Sequence, residues 1–136
     1  MAYSESATIV DTIFRASCGS NTDVTVRQAY NSASVLGSVS CVAYNTDNNL
    51  CDRIDYVINY QLIDQYANNT SRGVAHTVCH ETGHTLSLSH YPGPDPPSPM
   101  TAISCMRSGL WDTGAAWQTI YRPHEINQHI NAHWNN

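Results

Sequence analysis

Residues 80–90 read His-Glu-Thr-Gly-His-Thr-Leu-Ser-Leu-Ser-His, and no other stretch of the 136-residue chain limits its fold as tightly. On a helix, residues four apart share a face, so His80 and His84 can aim their imidazoles at one point from successive turns. Glu81 lies about 100° further round, close enough to reach a water at that point without being a ligand. His90 comes six residues after His84 and cannot continue the same face. The chain must therefore be helical through His84 and turn after about Leu86 to bring a third imidazole back. Three protein nitrogens leave a fourth position open, which distinguishes a catalytic zinc from a closed structural one. One Zn2+ held by His80, His84 and His90 is the reading these residues favour over seven histidines scattered by chance.

The length suits one domain with a real core, spanning 1–136. An upper part, about 1–90, would carry a sheet and the histidine helix, and a lower part, about 91–136, would close beneath it. With a net charge of −5, six Arg, no Lys and no basic cluster, nucleic acid is excluded as a partner. No apolar run approaches the roughly 20 residues that span a bilayer, so no membrane is expected either. The start, Met-Ala-Tyr-Ser-Glu-Ser, has neither a basic nor an apolar leader region, and no signal peptide is expected within this chain. Five cysteines nonetheless point to an oxidising, extracellular setting, consistent with a trimmed mature form carrying an added Met1. Cys41 and Cys51 bracket the turn-rich Asn45–Asn49 segment between two strand-like runs and are expected to form a bridge across a hairpin. For the rest, Cys79–Cys105 and Cys18–Cys79 both remain open.

Taken in order, Ile9, Val10, Ile13 and Phe14 recur at helical spacing and predict a helix over 4–16. Alternation predicts strands over 23–29, with Val24 and Val26 on the half-buried face, over 39–44 and over 54–62. The third would align Ile54, Tyr56, Ile58, Tyr60 and Leu62. Asn68-Asn69-Thr70-Ser71 offers caps for a helix beginning near Arg72, in which Val74, Ala75, Val78, Cys79, Thr82 and Leu86 form the stripe facing the sheet. His76 sits one turn before His80 and reads as a solvent-facing histidine or one supporting the ligands from behind. Five prolines between Pro92 and Pro99 predict a stiff extended excursion. Ser104–Gly109 is a compact turn, and Pro123 opens a closing helix. In that helix Glu125, His129 and His133 follow at i, i+4, i+8. They read as a polar face with packed imidazoles in preference to a second metal site.

His80, Glu81, His84 and His90, followed by Met106, resemble the metzincin metalloproteases, whose pattern is His-Glu-x-x-His-x-x-Gly-x-x-His with a later methionine-containing turn. Within that clan the chain is most similar to small bacterial snapalysin and matrixin-like secreted proteases. The likeness runs over about 20–136 and includes Gln65-Tyr66, Cys105-Met106-Arg107-Ser108-Gly109 and Ile130-Asn131-Ala132-His133-Trp134. It implies an α+β, metzincin-like domain: a twisted mixed sheet, an N-terminal helix, an active-site helix, a Met-turn and a C-terminal helix.

The resemblance also implies a monomeric zinc endopeptidase acting on an extended peptide paired with the strand near Val39–Tyr44. Glu81 would serve as general base and acid, Met106 would lie beneath the metal, and Tyr91 would assist the oxyanion. Activity is then expected to fade below roughly pH 5–6 as the ligands protonate. There are three departures. Ser87 stands where the family has the Gly that makes the sharp turn, at an expected cost of about 1–2 kcal/mol. Snapalysins use Asp where this chain has His90. The first helix begins almost at once, with no strand ahead of it. A zinc-containing binding module on the same scaffold, or a zinc amidase acting on a non-protein amide, are the other readings these residues allow.

Overall fold

The computed structural model describes residues 8, 13, 16–20, 22–30, 34–47, 50–90 and 104–134, which build a small mixed α+β unit. Three strands, β1 (Val24–Gln28), β2 (Gly37–Asn45) and β3 (Leu50–Ile58), form a sheet in the order β1-β3-β2. β1 runs parallel to β3, with Val26 opposite Tyr56, whereas β2 runs antiparallel to β3, with Val39 opposite Tyr56. The sheet is therefore mixed, and β2 is one edge of it among the described strands. Cys41 and Cys51 are bridged across the β2–β3 hairpin, with Cα atoms 5.7 Å apart. A register irregularity between Cys41 and Tyr44 lets the hairpin ladder accommodate the bridge with one residue out of step.

The third strand is shorter than its alternation predicts. It ends at Ile58 because Asn59 is a helix cap: its side-chain oxygen accepts from Leu62 N at 3.2 Å, and Nδ2 donates to Val35 O at 3.1 Å. Tyr60 and Leu62 consequently belong to helix α1 (Tyr60–Tyr66) and not to a sheet face. Asn69 caps the next helix, α2 (Thr70–Thr85), accepting from Arg72 N at 3.1 Å.

α2 lies between two apolar clusters. On the sheet side Tyr56, Ile58 and Ile63 are buried, with Val39, Val74 and Val78 packed against them. On the other side Leu86, Leu88, Cys105, Met106, Tyr121, Ile126 and Ile130 form a second cluster with Cys79 against it. The predicted single stripe is thus divided: Val74 and Val78 face the sheet, Cys79 and Leu86 face the lower cluster, and Ala75 is exposed. Two tyrosines fasten the helix through its carbonyls. Tyr56 donates to Val78 O at 2.7 Å and Tyr121 to Cys79 O at 2.9 Å. The expected burial of Val24 and Val26 does not occur. They share Tyr56's face by register, but α2 packs over β2 and β3 and leaves them 38% and 45% exposed.

Below α2 the chain forms a 3-10 turn (Ala116–Thr119), a π-helical segment (Glu125–Ile130) and helix α3 (Asn131–Trp134). Trp117 and Tyr121 are buried there, and Arg107 stacks over Trp111 at 4.0 Å. Of the helix expected over 4–16, Thr8, Ile13 and Ala16 are described and none is helical. The rest of that segment, the proline excursion and Tyr91 lie outside the described residues. Among the described residues, no helix is long and apolar enough to cross a membrane, and the two disulfides fit an extracellular protein.

Candidate metal centre

α2 places His80 and His84 one turn apart, and the route to His90 depends on how the helix stops. Leu86 is its C-cap, and Ser87 follows with φ +66°, in the left-handed region. Ser87 N donates to His84 O at 3.1 Å and Leu88 N to Gly83 O at 2.9 Å. This pair of reversed bonds is the stop that glycine ordinarily makes. Here a serine makes it, and the buried Leu88 anchors the outgoing chain in the lower cluster. His90 then stands with its ring 5.0 Å from that of His80 and 4.8 Å from that of His84, while the His80–His84 separation is 4.8 Å. The three rings form a near-equilateral triangle, and one nitrogen from each lies within 4.8 Å of the others. This cluster can hold a metal ion.

Hydrogen bonding behind the rings determines which nitrogens are available. His80 Nδ1 is 2.8 Å from Cys105 O, and His84 Nδ1 is 2.8 Å from Leu88 O. A carbonyl oxygen only accepts, so both Nδ1 atoms carry a proton, and in the neutral form of each ring the lone pair is on Nε2. Those two Nε2 atoms face one another at 3.2 Å. With no proton between them they cannot hydrogen-bond and would repel; a cation relieves the repulsion. Two nitrogens bound tetrahedrally to one zinc lie about 3.3 Å apart, so the spacing and the donor set both fit that ion.

The turn that supplies Cys105 O is itself held from several sides. Cys105 is bridged to Cys79, the residue before His80, and Cys105 N donates to Ile120 O at 3.0 Å. The bridge closes a 26-residue separation, for which chain-entropy bookkeeping gives about 3.5 kcal/mol. Ser104 Oγ donates to Glu125 at 2.9 Å and accepts from Met106 N at 3.2 Å. Glu125 is buried and ion-paired with Arg122 at 2.9 Å. Glu125 is therefore committed inward, to the Met106 turn, and not to the polar face with His129 and His133 that helical spacing suggests. Met106 is fully buried against Gly83, where any Cβ would collide with its Sδ.

Glu81 is buried at 6% exposure beside the triad, and burial pushes its carboxyl up to about 7. Its carboxyl lies against Gly37 at the start of β2, where an added Cβ would be 2.7 Å from Oε1. Burial also holds His80 down to about 4, helped by the nearby His84 and His90 rings against the opposing Cys105 bond. His90 is lowered by burial and by His84. Both imidazoles are thus in the neutral form that a metal requires near pH 7.

His76 is not solvent-facing. It is 1% exposed, its Nδ1 is 3.0 Å from Gln118 O, and its Nε2 has no hydrogen-bond partner among the described residues. Burial lowers its pKa. It lines a hollow of about 290 Å³ together with Leu36, Gly37, His80, Glu81 and His90. Spacing alone does not indicate the roles of Gly37 and Gln118, because each meets the site from a distant element.

Comparison with protein-family models, with curated proteins and with solved structures finds no match to this chain.

Proposed function

We propose that this chain is a zinc-dependent endopeptidase of the metzincin kind, with His80, His84 and His90 as ligands and Glu81 as the proton carrier. The observation that carries the reading is the pair of bare Nε2 atoms 3.2 Å apart, each made an acceptor by a backbone carbonyl behind it, with a buried carboxyl next in the chain. When bound, the ion supplies Lewis acidity, bringing the pKa of water towards 7 and stabilising negative charge on a carbonyl oxygen.

The rest is the work of this chain's residues. Glu81, with a carboxyl pushed to about 7 before metal binds, is suited to taking a proton from the attacking water and handing it to the leaving amine nitrogen. Gly37 keeps space beside that carboxyl. β2 has one side unpaired among the described strands, which suits an extended peptide adding to the sheet above the hollow. The Cys79–Cys105 bridge and the Ser104–Glu125 bond hold the carbonyl that orients His80.

Zinc content and cleavage of a denatured protein or peptide library, measured for wild type and Glu81→Gln, test the proposal. One zinc in each, with cleavage only by wild type, is the expected result. Zinc without cleavage by wild type would leave a binding module, and absence of zinc from both would end the reading.

A further inference from the structure

The closing helix predicts contacts at α-helical spacing, and the structure winds it differently. Over Glu125–Ile130 it is a π-helix, whose wider turn brings together residues five apart that an α-helix separates by about 140°. The result is that His124 and His129 meet. Their Nε2 atoms lie 3.2 Å apart, the same separation as between His80 and His84, with ring centroids 5.0 Å apart and planes at 76°. Both rings are exposed. The carboxylate and guanidinium nearest in sequence, Glu125 and Arg122, are paired with each other, and Glu125 is directed inward onto Ser104. Beside His129 a hollow of about 350 Å³ is lined by Ser87, Gln128, Ala132 and His133, so water has room to complete a coordination shell.

We propose that His124 and His129 form a second, surface site for a borderline divalent transition metal, with Zn2+ as the probe. In the metal-free state one ring can donate its Nε2 proton to the other. As the ion enters, the donor ring shifts that proton from Nε2 to Nδ1 through solvent, so that each neutral ring offers one Nε2 lone pair at the spacing two tetrahedral nitrogen ligands require. Two imidazoles and water make a weaker site than three imidazoles, so the second ion should bind after the first and exchange faster. The proposal does not depend on peptidase activity.

Isothermal titration of metal-free full-length protein with ZnCl2 tests it. Wild type should show two classes of site. His124→Gln and His129→Gln each change an exposed side chain and should weaken the second class at least tenfold, leaving the first unchanged. A single equivalent in wild type, or a second class that persists unaltered in both variants, would overturn the assignment.

Discussion

His80 donates its Nδ1 proton to the carbonyl of Cys105 at 2.8 Å, and the sulfur of that same Cys105 is bonded to Cys79, the residue before His80. The ligand and the carbonyl that orients it are thus covalently clamped to one another. Replacing both cysteines by serine should cost about 3.5 kcal/mol of stability. It should also weaken metal binding by about 10–100-fold, the usual penalty for loosening the group behind a ligating histidine. Denaturant melts and zinc competition against a chelator would measure the two effects. Unchanged affinity in the double variant would mean that the hydrogen bond survives without the bridge.

Ser87 makes a glycine's turn at φ +66°. The left-handed conformation costs a residue with a Cβ about 1–2 kcal/mol, offset by glycine's larger entropy loss of about 0.5–1. Ser87→Gly is therefore expected to raise stability by up to about 1.5 kcal/mol, without moving His90. Ser87→Val should lower stability and metal affinity together, because a β-branched residue resists the conformation that delivers the third ligand. Thermal melts with and without zinc distinguish the two outcomes.

Gly83 and Met106 are coupled by space. Gly83→Ala should cost about 1–3 kcal/mol through overpacking, since the new methyl would meet the Met106 sulfur. Truncating that neighbour makes room, so the double variant Gly83→Ala, Met106→Ala should lose less than the sum of the singles. A double-mutant cycle reads the difference directly.

For metal-free protein, the sign of the pH dependence follows from three buried groups. His80, lowered to about 4, contributes stability that is present above its unfolded value near 6.5 and lost as pH falls towards 4. Glu81, raised to about 7, contributes stability present below about 4.5 and lost as pH rises to 7. Between about pH 4.5 and 6.5 these oppose one another with one proton each. His76, lowered by burial, tips the balance the same way as His80, and the more exposed His90 adds weakly in that direction. Stability should rise with pH across this window by no more than about 1.4 kcal/mol per unit from the His76 proton. Urea titrations of chelator-treated protein at three pH values would show it, and His76→Gln should flatten the rise. A falling profile in wild type would contradict the burial argument.

Local chemistry alone made much of the site legible. His80 and His84 are four apart, Asn69 is a strong cap, and Cys41 and Cys51 bracket a hairpin; each of these depends on neighbours within about ten residues. The need for a turn at Ser87 was legible for the same reason, since His90 cannot otherwise return to the face. The strand over 54–62 misled because alternation continues through Tyr60 and Leu62, whereas Asn59, held by the carbonyls of Val35 and Leu36, ends the strand.

Spacing along the chain determined which residues can share one ion: two histidines on one helical face and a third across a tight stop. Only tertiary structure decided that the Nε2 atom of His80 is bare, because the carbonyl behind that ring comes from Cys105, 25 residues further on. It also decided between the two open cysteine pairings, and it turned Glu125 inward to hold the Met106 turn. Periodicity reports how a segment could fold by itself. A hydrogen bond or a disulfide between distant segments depends on where packing brings their backbones together.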